Sequence, residues 1–157
     1  MFNVALQAAT TKAASYAPAA LDLKAGKFRQ LLFTWDITAA ERDSADETYD
    51  LYIITGDGVS EWDLVHFPQV ATTGAKRFTA VVQEIMPPQT VTTAAPGVAA
   101  VVSGTLATVS GGTNAPKSLS AGMVRHGFWG NYIRYELVIA GTVASGITYS
   151  LLMSGKE

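Results

Sequence analysis

Apolar and polar side chains alternate along most of this chain with a period of two residues. From Leu31 to Ile37, large apolar side chains occupy every second position. Because successive side chains of a β-strand point to opposite faces, each such run predicts a strand with one core face. The runs lie at residues 30–37, 50–54, 61–65, 77–82, 132–139 and 147–153. The sequence therefore predicts an all-β protein, an antiparallel β-sandwich of jelly-roll-like architecture.

Turn residues separate the runs and mark the organisation of the chain. Residues 55–60 read Thr-Gly-Asp-Gly-Val-Ser and predict a short hairpin, because glycine adopts positive φ without strain. Residues 1–27 are expected to form an N-terminal arm. The arm would begin with a weak strand at 2–6 and continue either as extended chain or with a short helix at 18–24. Residues 28–157 form the predicted sandwich domain.

The segment 87–122 is expected to interrupt this domain as an extended loop or hairpin. Lys117 is its only charged side chain, and Ala, Thr, Val, Gly and Ser dominate it. Its residues 97–110 have the apolar positions of a hairpin. A segment of this length inside a compact domain is usually functional or flexible. An uncharged, β-prone projection also offers an edge that can pair with another chain.

Charge is scarce in this sequence. Charged residues make up 15% and hydrophobic residues 48%, whereas the usual charged share is about 25%. We therefore expect protein partners to cover part of the exterior. The net charge of −2 argues against nucleic-acid binding. No signal-peptide pattern or membrane-spanning stretch is visible, and the absence of cysteine excludes disulfides and cysteine–zinc sites.

The histidines and the acidic loop do not have the spacing of a catalytic or metal site. His66 and His126 are too far apart in sequence for a recognised zinc motif. His66 continues the alternation of Trp62 and Leu64, so we expect it to face the core in a structural role. The acidic residues at 41–50 lack the glycine and glutamate positions of an EF-hand. They are expected to form a solvated loop, with cation binding left open.

Three further carboxylates, Asp36, Asp63 and Glu136, lie on predicted strands at positions opposite the apolar ones. They are expected to face solvent or a partner and not to pair for glycoside hydrolysis. The chain has no Gly-x-Ser-x-Gly nucleophile motif and no phosphate-binding loop. The sequence therefore predicts a protein that is not an enzyme and that has no cofactor and no metal.

The tryptophans divide into two groups. Trp35 and Trp62 follow the core-face alternation and are expected in the core. Trp129 stands in the turn Gly-Phe-Trp-Gly and is the expected interface anchor, because aromatic anchors dominate contact energies. A carbohydrate-binding module that stacks sugars on Trp129 and nearby tyrosines is an alternative.

Four segments, in this order, resemble small virion proteins of tailed phages. Residues 28–38 read Phe-Arg-Gln-Leu-Leu-Phe-Thr-Trp-Asp-Ile-Thr, similar to an apolar strand of that group that ends in Asp-Val-Thr. Residues 57–64 resemble its hairpin with Asp, Ser, Trp and Leu in succession. Residues 132–141 resemble its strand that begins Tyr-x-Arg and ends in Gly. Residues 147–150 read Ile-Thr-Tyr-Ser, as in its last strand.

The resemblance covers residues 28–86 and 124–153, and it implies a β-sandwich of the capsid decoration or cement type. It implies a place on the capsid exterior after synthesis in the bacterial host cytoplasm. The implied partners are further copies of the chain, as a homotrimer, and the major capsid protein, with no nucleic acid and no membrane. The segment 87–122 is longer than the usual connection, and no catalytic residues carry over.

The expected partner contacts combine basic, apolar and aromatic side chains. They are Lys12, Lys24, Lys27, Val101, Val102, Leu106, Arg125, Phe128 and Trp129. The alternative within the virion is a structural protein of the tail or of the head–tail junction.

Overall fold

The computed structural model describes residues 2–23, 28–84, 100–102, 117, 119–126 and 129–157. The described residues form β-strands and no helix. In chain order the strands are β1 (Phe2–Lys12), β2 (Leu21–Asp22), β3 (Gln30–Ala40), β4 (Thr48–Gly56), β5 (Glu61–His66), β6 (Lys76–Gln83), β7 (Ala100–Val102), β8 (Met123–Val124), β9 (Tyr132–Ala140) and β10 (Ile147–Lys156).

The strands build two sheets that pack face to face. The first sheet has the order β1-β10-β3-β6-β7, and the second has the order β2-β9-β4-β5-β8. Neighbouring strands are antiparallel except β6 and β7, which run parallel. The predicted all-β sandwich is confirmed. Strands that follow one another along the chain often lie in different sheets, so the chain crosses the sandwich repeatedly. Each sheet buries its apolar face against the other.

The core lies between the inner faces of the two sheets, as the alternation predicts. Trp35 on β3 is fully buried, and its ring centroid lies 5.7 Å from that of Phe67 and 5.6 Å from that of Phe78. Leu51 and Tyr149 are also fully buried. Burying one such side chain contributes roughly 1.5–3 kcal/mol relative to leaving it exposed. Trp62, expected in the core, is half-buried and packs against it.

A buried tyrosine pair ties β1 to the rest of the sandwich. The hydroxyl of Tyr135 donates a hydrogen bond to Oε1 of Gln7 at 2.6 Å and lies 3.3 Å from the hydroxyl of Tyr149. Burial raises the pKa of Tyr135 to about 12. The hydroxyl is therefore held in its neutral, donating form, and it joins β1 in the first sheet to β9 in the second.

The N-terminal residues contribute a strand to each sheet. Residues 2–12, expected as the start of an arm, form β1 at the edge of the first sheet beside β10. The backbone of Tyr16 exchanges two hydrogen bonds with Leu137. Residues 18–20 form no helix and lead into β2, so the predicted short helix is not found up to residue 23.

Only part of the segment 87–122 is described. Its residues 100–102 form β7, which extends the first sheet beyond β6. The predicted hairpin at 97–110 otherwise lies outside the described residues. Residues 117 and 119–122 lead into β8 at the edge of the second sheet. The described part of the long segment therefore contacts the first sheet through β7 and the second sheet at its C-terminal end.

Candidate functional site

A bulge in β5 determines which side chains lie on the outer face of the second sheet. Ile53 pairs with Val65 and Ile54 with Asp63, so Leu64 is the extra residue. Leu64 and Val65 both belong to the core. Because one inserted residue shifts the alternation, His66 lies on the outer face, opposite Tyr52. The prediction that His66 faces the core is wrong for this reason.

The exposure of the Asp63 side chain differs most from the prediction. It is 0% exposed, although it was expected to face solvent or a partner. Its carboxylate accepts hydrogen bonds from the backbone N–H groups of Lys117 at 2.7 Å and Leu119 at 2.9 Å. The C-terminal end of the long segment thus lies over β5 and covers it. Leu119 and Ile54 are buried outside the main core, which is consistent with this cover.

His66 holds the same segment from a second point. Its Nδ1 lies 2.7 Å from the carbonyl oxygen of Leu119, and its Nε2 lies 2.9 Å from Oδ1 of Asp50. Each ring nitrogen therefore lies at hydrogen-bond distance from an oxygen of another residue. The ring also stacks on Tyr52 with 3.9 Å between centroids. The backbone carbonyl of His66 accepts from the N–H of Gly122 at 2.8 Å.

The pairing with His66 changes the titration of Asp50. Burial tends to raise the pKa of Asp50, but hydrogen bonds from His66 and Gln69 and the charge of His66 lower it below its usual value. A carboxyl whose pKa is lowered on folding stabilises the fold above its unfolded pKa. That stabilisation is lost as the pH falls through the lower, folded pKa.

We expect Asp50→Asn to lower the free energy of unfolding by about 1.5–3 kcal/mol at pH 7, since the side chain that contacts His66 and Gln69 loses its charge and one of its two acceptor oxygens. The deficit should shrink as the pH falls below about 4, the unfolded pKa of an aspartate. Urea denaturation of both proteins between pH 7 and pH 2.5 measures this. The control Asp36→Asn removes a more exposed ion pair with Arg77 and should change stability by less than about 1 kcal/mol. An Asp50→Asn deficit that is the same at every pH would contradict the assignment.

The remaining charges on this face neutralise one another in a chain of contacts. Glu61 accepts from Nε of Arg134 at 2.9 Å and from the hydroxyl of Tyr132 at 2.8 Å. Arg134 also contacts Glu136 at 3.3 Å, and Glu136 accepts from Nζ of Lys117 at 2.7 Å. Hydrogen bonding to Arg134 lowers the pKa of Glu61. These charges are arranged to hold β5, β9 and the end of the long segment together.

The acidic loop at 41–50 uses its carboxylates in the same way. Asp43 accepts from the backbone N–H of Ser145 at 3.0 Å, and Asp46 accepts from that of Thr142. Within the described residues, which include this whole loop, no three side chains of the metal-binding types come together at a potential metal site. The acidic residues therefore fasten neighbouring turns instead of converging on one point.

The outer face of the first sheet is different, because it is nearly free of charge. Its outward side chains are Leu32 and Thr34 on β3, Thr79 and Val81 on β6, and Thr148, Ser150, Leu152 and Ser154 on β10. The paired Asp36 and Arg77 lie at one end of this surface and Lys156 at the other. Leu152 is 46% exposed. We call this set of side chains the uncharged face.

The structure places Trp129 in the core. It is 8% exposed and belongs to the hydrophobic cluster between the sheets. The glycine that follows it explains the burial. Gly130 packs so closely on β4 that a Cβ there would overlap the carbonyl oxygen of Gly56. The turn is thereby drawn inward, and the predicted exposed interface anchor is not found at Trp129.

The other predicted contact residues that the structure describes lie on different elements. Nζ of Lys12 lies 3.7 Å from the ring centroid of Tyr16, at the end of β1. Arg125 is half-buried, and its Nε and one terminal nitrogen have no hydrogen-bond partner among the described residues. Val101 and Val102 belong to β7 and pair with β6. Lys24, Lys27, Leu106 and Phe128 lie outside the described residues.

The signal for the uncharged face was present in the sequence. The runs at 30–37 and 147–153 alternate apolar core positions with outward positions of which most are Thr, Ser or Leu. Polar residues are the usual occupants of solvent-facing strand positions on a half-exposed sheet, and here those polar residues are uncharged and accompanied by leucine. The outward residues of these runs therefore indicated an uncharged outer face, just as the inward residues indicated the core.

Comparisons with protein families, with characterised proteins and with solved structures gave no match. In the part of the chain that the structure describes, no helix has the length and apolarity to cross a membrane. The architecture is that of a β-sandwich with two unlike outer faces, one crossed by paired charges and one almost uncharged.

Proposed function

We propose that this protein is a structural protein of a phage virion, and that it works as a capsid decoration or cement protein. The observation that carries the proposal is the uncharged face of the first sheet. It spans three adjacent strands, β10, β3 and β6, without an unpaired charge between its two ends. Such a surface loses little hydration free energy when another protein covers it.

The segments that carry the resemblance support the proposal at the level of architecture. Residues 28–38 fall largely on β3 and residues 147–150 on β10, which are neighbours in the first sheet. Residues 57–64 include the turn between β4 and β5, and residues 132–141 include β9 in the same sheet. The similar segments therefore include most of β3 and part of β10 in the first sheet, and β9 and part of β5 in the second.

In this proposal the protein acts by binding across the boundaries between capsomers. A stable protein–protein interface buries about 1,600 Å² in total, and a decoration protein that contacts two capsomers shares such an area between them. Each added contact raises the free energy needed to separate the capsomers. When several copies are linked, a modest single contact becomes a strong combined one.

The alternatives differ in their support. A protein of the tail or head–tail junction has the same type of surface, so copy number separates it from decoration, with hundreds of copies expected per capsid and tens per tail. The carbohydrate-binding alternative depended on an exposed Trp129. Because that ring is packed in the core, this alternative loses its stacking platform.

The test uses expanded capsids of the virus that encodes this chain and measures co-sedimentation of the purified protein. We expect binding and a higher melting temperature of the capsids. Thr34→Glu should weaken binding at least tenfold, because it brings an unpaired charge into the buried contact. Its control is Thr48→Glu, a half-buried strand threonine in the second sheet, which should bind normally. Absence of binding by the unaltered protein would sink the proposal.

A further inference from the structure

The strand β1 has one edge without a partner. It pairs along one side with β10, and among the described residues no backbone hydrogen bond reaches its other side. Its residues up to Thr11 carry no charge and include no proline. Charge, proline and a covering segment are the usual protections of an exposed strand edge. This edge has neither charge nor proline up to Thr11, and the two irregularities around Gln7 are its protection.

A crevice of mixed polar and apolar lining lies beside β1, between the two sheets. The crevice has a volume of about 180 Å³. Its lining includes Val4, Leu6, Pro18, Leu21 and Ile133. The second sheet ends here in β2, which has two residues and cannot cover the whole of β1. A strand added to β1 would continue the first sheet and cover this crevice.

We propose that β1 pairs antiparallel with β1 of a second copy of the chain, about a two-fold axis close to Gln7. The two first sheets then form one continuous sheet. The inference concerns the free protein and does not depend on the proposed function, because it requires no capsid.

The register follows from the bulges in β1. The pairing with β10 is regular over Phe2 to Ala5 and again over Thr10 to Lys12, with the irregularities between them around Gln7. With the axis at Gln7, residues 2–5 of one copy lie opposite residues 9–12 of the other. The irregular residues of the two strands then face each other around the axis. A two-fold contact of this kind uses the same patch on both copies.

Charge and area agree with this pairing. Lys12 is the only charge in β1 and lies five residues from Gln7, so the two copies of Lys12 are about 34 Å apart. Phe2, which is 41% exposed, comes to lie beside Lys12 of the second copy. An edge about 37 Å long on two sheets about 10 Å apart offers roughly 370 Å² per copy, below the 800 Å² that a standard interface buries on each side and in the range of weak, dissociable contacts.

The mass of the free protein is the first test, by light scattering across a concentration series. We expect a dimer that dissociates on dilution. The trimer implied by the resemblance has no two-fold axis between its copies, so a trimeric mass would overturn this proposal, as would a monomer at every concentration. Neither result would affect capsid binding, so the two proposals fail separately.

Cysteine cross-linking tests the register, since the chain has no cysteine of its own. Ala5 and Ala9 of different copies lie directly opposite, with Cβ atoms about 5 Å apart, whereas the two copies of Ala5 are separated by about four residues, or 14 Å. Ala5→Cys and Ala9→Cys should form a disulfide when mixed and oxidised, but not when each is alone. A cross-link in either variant alone, or none in the mixture, would contradict the antiparallel pairing at Gln7.

A charge at the axis supplies an independent check. Ala8 is exposed and lies next to the axis, so Ala8→Lys would bring two ammonium groups within about 8 Å of each other. We expect the dimer dissociation constant to rise at least tenfold. The control Ala121→Lys alters an exposed alanine near the opposite edge of the second sheet and should leave the constant unchanged. Equal dissociation constants for the two variants would overturn the proposal.

Discussion

Replacing Asp63 with asparagine is expected to lower the free energy of unfolding by about 3 kcal/mol. The carboxylate is fully buried and accepts from two backbone N–H groups, those of Lys117 and Leu119. An amide of the same size keeps one acceptor oxygen and turns a donor toward the other N–H. A hydrogen bond to a charged group contributes about 1.5–3 kcal/mol, and a buried donor left without a partner costs a further 1–3 kcal/mol.

The loss should be concentrated in one region. Asp63 fastens the end of the long segment to β5, while the core between the sheets does not contact it through these bonds. Hydrogen exchange at the amides of Leu119 and Gly122 should therefore accelerate more than exchange in β3 or β10. Chemical denaturation gives the global effect and exchange monitored by mass spectrometry the local one.

The control for this substitution is Asp36→Asn, on the outer face of the first sheet. Asp36 pairs with Arg77, whose side chain is 58% exposed. Ion pairs of that exposure contribute about 0–1 kcal/mol. Similar losses for the two variants, or uniform acceleration of exchange along the chain, would show that Asp63 does not act by fastening this segment.

The alternation of side chains was sufficient to predict the strands and most of the core. β3, β9 and β10 fall where the period of two placed them, and Trp35 is buried as expected. This signal is local, because it depends only on the pleat of each strand. A fold class built from such strands can be inferred from sequence even when comparisons with known proteins give no match.

The bulge at Leu64 was not predictable in the same way. A bulge is a property of two paired strands, and the sequence of β5 alone does not show that Ile53 pairs with Val65 while Ile54 pairs with Asp63. One inserted residue moved His66 to the outer face. The cover over Asp63 also depends on a contact more than fifty residues away along the chain.

Trp129 illustrates the limit of interpreting a turn from its composition. The flanking glycines indicated a turn, and Trp129 in that turn was predicted to be an interface anchor. In the fold, Gly130 is required because the turn approaches β4 too closely for a side chain. The same glycine signal accompanies exposure in one context and close packing in another. Burial of the neighbouring ring distinguishes the two, and burial is a tertiary property.

Gly130→Ala is therefore expected to be the most destabilising alanine substitution of a glycine at this end of the sandwich, with a loss of about 3 kcal/mol, the upper part of the range for overpacking. The added Cβ would overlap the backbone carbonyl of Gly56, which cannot rotate away as a side chain can. The N–H of Gly130 also donates to Oγ1 of Thr55 at 2.9 Å. Relief of the overlap would move the turn, break this bond and loosen Trp129.

The matched control is Gly58→Ala, in the turn between β4 and β5. Gly58 has a φ of 93° and no atom within 4 Å of an added Cβ. That variant measures backbone strain alone, about 1–2 kcal/mol. Urea denaturation ranks the two variants, and tryptophan fluorescence of the folded proteins should shift for Gly130→Ala only. If Gly58→Ala proved the more destabilising, close packing against Gly56 would not be what holds Trp129 in the core.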